Sequence, residues 1–139
     1  MINCGLLQFK DFSDGRGHLT PIESAADIPF DVKRVYYITE VPGDVVRGRH
    51  AHKGLHQVLI CMNGAVKVRL KTPFEEEVVT LDRSNYGLLI GNMIWREMFD
   101  FEEGTVLVVL ASEHYSEDDY LRDYSEYEKL ARKHFSRLG

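Results

Sequence analysis

Apolar and polar residues alternate along most of this chain in short runs. Residues 65–71 are the clearest case. Val66, Val68 and Leu70 fall on one side and Lys67, Arg69 and Lys71 on the other, the period of two that a half-buried strand requires. Residues 33–41 are rich in β-branched and aromatic side chains and stop at Pro42-Gly43, a strand signal with a turn behind it. Residues 57–62 form a short apolar run. Asn63-Gly64 joins that run to the alternating one, which predicts a tight hairpin. Further runs lie at 78–81, 88–90, 94–99 and 105–111, with Gly, Asn, Asp or Pro between them. Many short strands at this spacing predict an all-β sandwich or barrel. The tail reads differently. Ser116-Glu117-Asp118-Asp119 puts acidic residues where the positive end of a helix dipole would favour them. Ser125-x-x-Glu128 is a capping-box pattern, and Lys129, Arg132, Lys133 and Arg137 load the far end with cations. Tyr120, Tyr124, Tyr127 and Leu130 recur at helical spacing, a stripe suited to packing on the barrel. The expectation is one β-domain over 1–139 with a helical tail over about 116–139. No internal repeat, low-complexity segment or linker interrupts it.

Composition narrows this little. A chain of 139 residues is the size of one domain and can bury a core without disulfides or a structural metal. Its 44% apolar and 28% charged residues are ordinary for a globular protein. The net charge of −5 argues against bulk attraction to nucleic acid or to an anionic membrane. An anionic ligand would therefore need a local patch of cations. Cys4 and Cys61 have neither metal-site spacing nor a disulfide framework, and Cys61, inside Val58-Leu59-Ile60-Cys61-Met62, reads as a reduced core thiol. The first residues lack a basic region followed by a long apolar stretch, and no run reaches the length of a membrane span. A cytoplasmic protein is expected.

The cationic patch has a candidate place. Arg47-Gly48-Arg49-His50-Ala51-His52-Lys53 concentrates positive charge around a His-x-His pair. On a regular strand His50 and His52 share a face, and Arg47 and Arg49 take the other. Gly48 allows a bulge that would re-aim one arginine, a device common beside active sites. Paired imidazoles suit two chemistries: holding a metal ion, or moving protons near neutral pH.

The layout resembles the cupin superfamily. His50-Ala51-His52 matches the histidine pair of its first motif, Gln57 stands at the glutamate position after four intervening residues, and Gly64 closes the motif after six more. In the second motif the usual turn falls on Met93-Ile94-Trp95 and the last ligand position on Met98. An amide and a thioether thus replace two ligands, a poor set for a hard divalent ion. Longer strings sharpen the likeness. They include Asp14-Gly15-Arg16-Gly17-His18-Leu19-Thr20-Pro21, Asp31-Val32-Lys33-Arg34-Val35-Tyr36-Tyr37, Trp95-x-Glu97-Met98 and Ala111-Ser112-x-x-Tyr115. Together, from about Phe9 to Tyr124, they are similar to the WxcM-like, FdtA-type dTDP-4-keto-6-deoxyglucose 3,4-ketoisomerases. Arg49, His56 and Arg96 depart from that pattern, standing where relatives often carry an aromatic, an acidic residue and a histidine.

The resemblance implies a single cupin (jelly-roll) barrel, a homodimer, no metal or other cofactor, and a dTDP-linked 4-keto-6-deoxy sugar as substrate, in deoxy-amino-sugar or polysaccharide biosynthesis. Such an enzyme removes the proton on C3 beside the C4 ketone and returns one to C4. It needs a base, an acid and stabilisation of oxyanion charge. On this reading His50 and His52 carry the proton transfer. Arg16 and Arg47 are candidates for the diphosphate, since guanidinium offers a rigid fork of donors. Lys53 either helps or is a solvated loop cation. Tyr37 bonds the sugar, orients a histidine, or is a half-buried strand tyrosine. Trp95 is a platform for sugar or base, or barrel core. Gln57 tethers a histidine or touches substrate. Glu97 serves the site or a structural salt bridge, and Arg34, Arg69 and Lys71 read as surface cations. Three alternatives stand beside this: a metal-dependent cupin using His50, His52 and His56, a sugar-nucleotide 3,5-epimerase, and a barrel that binds a sugar nucleotide or a partner protein without turnover.

Overall fold

The computed structural model describes residues 1–136, so residues 137–139 of the expected tail, Arg137 among them, lie outside the described residues. Alternation builds two five-stranded sheets. One runs in the order β1 (Cys4–Gln8), β9 (Tyr86–Ile90), β6 (Gln57–Asn63), β11 (Val106–Ala111), β4 (Arg34–Thr39). The other runs β12 (Tyr120–Leu121), β5 (Arg47–His52), β10 (Trp95–Phe99), β7 (Val66–Lys71), β8 (Glu76–Leu81). All the strand pairs in both sheets are antiparallel. A separate two-stranded arm pairs β2 (Phe12–Asp14) with β3 (Gly17–Leu19).

The sheets face each other across the apolar halves of their strands. Leu59, Leu88, Leu107 and Val109 of the first meet Val66, Val68, Leu70 and Met98 of the second in one buried cluster. Each such side chain contributes roughly 1.5–3 kcal/mol before chain entropy is counted. A smaller cluster, Phe9, Ile28, Val58 and Ile60, is covered by Ile22, Phe30 and Val32 from the long loop before β4. The result is the all-β jelly roll expected, as an open sandwich rather than a closed barrel.

Two expectations fail on topology. Asn63-Gly64 does not make a hairpin: β6 pairs with β9 and β11, while β7 pairs with β8 and β10. The turn instead carries the chain from one sheet to the other. Gly64 has φ +78°, and a Cβ there would lie 2.9 Å from Thr105 Cα, so the corner needs glycine. The tail is also not helical from residue 116. Glu117–Asp119 makes one 3-10 turn, and Tyr120–Leu121 then pairs with β5 at His52 and Ala51.

Among the described residues the one α-helix is α1 (Tyr124–Ser136). Its cap is Asp123, not Ser125: Asp123 Oδ1 accepts from the Ser125 and Glu126 N–H groups at 2.9 and 3.4 Å. Tyr127 is buried and directs its hydroxyl at the Lys71 and Met93 carbonyls, 3.0 and 2.9 Å away. That fastens α1 to the outer side of the second sheet. Of the tyrosine stripe, Tyr124 and Tyr127 pack there, Leu130 stays 40% exposed, and Tyr120 belongs to a strand.

Candidate active site

The histidine strand is irregular where the sequence allowed it to be. Arg96 of β10 pairs with His50 and Glu97 with Gly48, so the register skips Arg49. Gly48 and Arg49 both have positive φ, +89° and +57°. This bulge reverses the alternation behind it. Arg47 then shares the side of His50, and both line one cavity, while Arg49 is exposed.

That cavity, about 370 Å³, opens between the edge strand β4 and the β5–β12 side of the second sheet. Arg34 and Tyr36 come from β4, Arg47 and His50 from β5, and Met98 from β10. Tyr115, Tyr120 and Arg122 come from the segment around the 3-10 turn. Three guanidiniums thus surround one mouth. Arg34 lies over the Tyr36 ring and Arg122 over Tyr120, 5.2 and 4.2 Å from the ring centres.

The two imidazoles stand 4.9 Å apart and nearly perpendicular. His52 lies behind His50, 1% exposed. Its Nδ1 is 3.1 Å from Asp119 Oδ2, and Asp119 Oδ1 accepts the Gly54 N–H at 2.8 Å. The contact is not an ion pair. Burial, then the Arg96 charge, push His52 down to about 2 and His50 to about 4. Both rings are neutral at pH 7, and neutral His52 donates an N–H to the carboxylate.

Beneath them sits Arg96, fully buried, with no carboxylate partner among the described residues. Its Nε and Nη2 donate to the Ile94 carbonyl at 3.1 and 3.0 Å, and its Nη1 donates to Gln57 Oε1 at 2.7 Å. Gln57 Nε2 donates in turn to the Tyr36 hydroxyl at 2.9 Å. Among the described residues the only buried side-chain polar atoms lacking a partner are Arg34 Nε, His50 Nδ1 and His52 Nε2. All three residues belong to this one site. Such groups are rare unless something else is meant to meet them.

A larger hollow of about 760 Å³ lies along the arm, lined wholly by residues between Asp11 and Leu19. Its polar groups are already satisfied: Arg16 by Asp14 and His18 by Asp11, at 2.9 and 3.1 Å. It therefore shows no such demand for a ligand.

Of the expected residues, the structure brings together His50, His52, Arg47 and Gln57. Arg16 stands on the arm, its side chain 92% exposed and bonded to Asp14. Tyr37 is 71% exposed on the outer face of β4; alternation gives the cavity to Tyr36 instead. Lys53 is exposed and holds Asp119 and Asn92 through its backbone only. Trp95 packs against Tyr124 and Tyr127 of α1. Glu97 accepts from Trp95 and Arg69 at 3.2 and 3.0 Å, the structural alternative. Arg34 is a cavity cation rather than a surface one. His56 does not join the pair, because β5 ends at His52. Among the described residues no cluster of three or more His, Cys, Asp or Glu could hold an ion. Tyr36, Tyr120, Arg122 and Asp119 were not among the expected site residues. Tyr36 was findable from the alternation of residues 33–41; the other three depend on β12 pairing with β5.

Comparison with known proteins gives a family and several 3,4-ketoisomerases at 41% identity or more. The FdtA family model (WxcM-like, C-terminal) matches residues 2–132. The chain is 44% identical over 128 residues to the TDP-4-oxo-6-deoxy-alpha-D-glucose-3,4-oxoisomerase of Aneurinibacillus thermoaerophilus, covering 92% of each protein. It superposes on the 3,4-ketoisomerase QdtA of Thermoanaerobacterium thermosaccharolyticum, solved in complex with TDP, with TM-score 0.96 and 59% identity over 97% of this chain and 98% of that one. The TDP-quinovose 3,4-ketoisomerase WlaRB of Campylobacter jejuni follows the same fold, with TM-score 0.90 and 41% identity over 93% and 99% of the two chains.

Proposed function

The chain belongs to the FdtA family of WxcM-like proteins, and on that premise we propose that it is a sugar-nucleotide 3,4-ketoisomerase acting on a TDP-linked 4-keto-6-deoxyhexose. The observation that carries this is the pair of neutral imidazoles with unpartnered buried nitrogens beside an arginine-rimmed cavity.

The reaction moves two hydrogens and no net electrons. A base takes the proton from C3, made acidic by the neighbouring ketone, and an enediolate forms. Proton return to C4 and transfer of the hydroxyl proton from O3 to O4 leave the carbonyl at C3. Neutral histidines are the right state to begin such a transfer. Arg96 holds an uncompensated buried charge beside them, and its field favours the anionic intermediate. Arg34 and Arg47 at the mouth suit a diphosphate, which a chain of net charge −5 would otherwise repel, while Arg122 is already paired with Glu117 at 2.9 Å.

We also propose a homodimer. Phe12 and Leu19 on the arm are 59% and 62% exposed, and Val35 and Tyr37 form an apolar outer face on edge strand β4. The surface, 8076 Å², exceeds the roughly 7400 Å² that a compact monomer of 16.0 kDa exposes. An arm lying on a second copy would cover these side chains and carry Arg16 toward that copy. A monomer mass in sedimentation at micromolar concentration would remove this part of the reading. The free thiols Cys4 and Cys61 suit a reducing compartment, and we place the enzyme in the cytoplasm; recovery outside it on cell fractionation contradicts this. Among the described residues no helix is long and apolar enough to cross a membrane.

Incubation with TDP-4-keto-6-deoxyglucose, followed by NMR in deuterated water, tests the function. The expected product carries its carbonyl at C3 and deuterium at C4. A carbonyl kept at C4 with exchange at C3 and C5 would make the protein an epimerase. An unchanged sugar with TDP still bound would make it a binding protein.

A further inference from the structure

One wall of the cavity is the short segment from Tyr115 to Arg122, and a single carboxylate ties its two ends together. Glu117 Oε1 accepts from Arg122 Nε at 2.9 Å and Oε2 accepts from Arg122 Nη2 at 3.1 Å. Oε2 also accepts the Tyr115 hydroxyl hydrogen. Of the three cavity arginines, Arg122 alone has a carboxylate partner among the described residues, whereas Arg34 keeps a buried Nε with none. Glu117 itself is exposed and does not line the cavity.

Stability does not explain the arrangement. The Glu117 and Arg122 side chains are 58% and 53% exposed, and ion pairs this wet contribute little. What the pair fixes is direction, because a guanidinium held side-on by a carboxylate is a plate that cannot turn. That plate lies 4.2 Å from the centre of the Tyr120 ring. The Tyr120 ring in turn lies against both imidazoles, 5.0 Å from His50 and 4.4 Å from His52. A stack thus runs from Glu117 through Arg122 and Tyr120 to the histidine pair. The carboxylate also offsets charge. Burial and the Arg96 charge dominate His50, and of the smaller influences Arg122 pushes it down while Glu117 pushes it up. The bonds from Arg122 and then Tyr115 lower Glu117 to about 2, so it is ionised at neutral pH.

We infer that Glu117 is a positioning residue that withholds Arg122 from the diphosphate and sets it as the plate behind Tyr120 and the histidines. The inference rests on the ketoisomerase reading and deepens it: Arg34 and Arg47 grip the nucleotide, and the donors of Arg122 go to the wall. A third free guanidinium at the mouth would hold substrate, transition state and product alike, which tightens binding without lowering the barrier.

Glu117→Gln is the test. Its amide oxygen still accepts from Tyr115, but its NH₂ meets the Arg122 donors and releases the guanidinium to the mouth. TDP should bind about twofold to fivefold more tightly by calorimetry, the gain of one exposed charge contact, and the gain should vanish in about 1 M salt. The kcat should fall about tenfold or more as Tyr120 and the imidazoles lose their backing, and KM should fall with it. A merely structural role would instead weaken binding and lower the urea midpoint, which here should stay near wild type. Exchanging both partners, Glu117→Gln with Arg122→Gln, should return TDP affinity to within about twofold of wild type and leave kcat low. Glu117→Asp keeps the charge and should recover part of kcat at wild-type TDP affinity. Unchanged or weaker TDP binding in Glu117→Gln overturns the inference, and so does unchanged kcat. If that variant does not fold, Arg122→Gln decides. A loss of TDP affinity matching that of Arg34→Gln makes Arg122 a phosphate ligand and overturns the inference, whereas a smaller loss with reduced kcat supports it. A wild-type protein that binds TDP but isomerises nothing overturns the functional reading instead; calorimetry needs no turnover and still decides where the Arg122 donors go.

Discussion

Gln57 occupies the position where a metal-binding cupin would place glutamate, and here its amide is spent on two neighbours. It accepts from Arg96 and donates to Tyr36. A neutral amide is what leaves the Arg96 charge uncompensated, and that charge is the second cause, after burial, of the lowered histidines. Replacing Gln57 with Glu should therefore pair the guanidinium and cancel its field. The pKa values of His50 and His52 should rise from about 4 and about 2, read as pH-dependent shifts of their ring protons, and turnover should fall as the oxyanion loses its counter-charge. Unmoved titration curves would show that burial alone sets the pair. Gln57→Leu is a different experiment. It strands one guanidinium N–H and the Tyr36 hydroxyl in the interior, at a cost of about 2–3 kcal/mol. At this scale the sequence was legible where a residue type is scarce and paired, as with His50 and His52. It misled where two neighbours are alike: of Tyr36 and Tyr37, only the face of the strand decides which one reaches the cavity.

The elements around the site are held by corners. Gly64 is one: its φ of +78° and the nearness of Thr105 leave no room for a side chain. Gly64→Ala should destabilise the protein by about 2–4 kcal/mol, from left-handed strain and overpacking together, seen as a lower urea midpoint with a similar slope. A midpoint within error of wild type would mean the corner relaxes freely. The same glycine shows why strand positions could be read from the chain but strand partners could not. Asn-Gly reports a sharp reversal, and a reversal at the edge of one sheet looks locally like a step into another. Which it becomes depends on β11 lying beside β6, a contact 40 residues away in the case of Ala65 and Thr105. The tail failed for a related reason. Acidic residues before Tyr120 suit a helix start, yet pairing with β5 offers hydrogen bonds and burial of Leu121 that a helix there would lose. Three contributors to the site, Asp119, Tyr120 and Arg122, arrive by that tertiary choice.

At the scale of the whole molecule, a site built from buried neutral histidines links its chemistry to stability. The unfolded chain titrates these rings at about 6.5, while the fold lowers them to about 4 for His50 and about 2 for His52. Between those values the unfolded state binds more protons than the native one, so stability rises with pH through this window and is lost as pH falls below about 6.5. The loss approaches about 1.4 kcal/mol per pH unit for each ring. It levels off for His50 near pH 4 and continues for His52 toward pH 2. The carboxylates whose pKa the fold lowers, Asp14, Glu117 and Asp123, add their own loss only at lower pH, since their ordinary values already lie near 4. Urea midpoints should therefore fall steeply from pH 6.5 to pH 4.5 in the wild type. A protein carrying both His50→Asn and His52→Asn should lose most of that slope. Asn cannot charge, so whatever slope survives belongs to other groups. Equal slopes in the two proteins would mean that the paired rings are hydrated enough to protonate in place, and the buried, neutral start of the reaction would go with them.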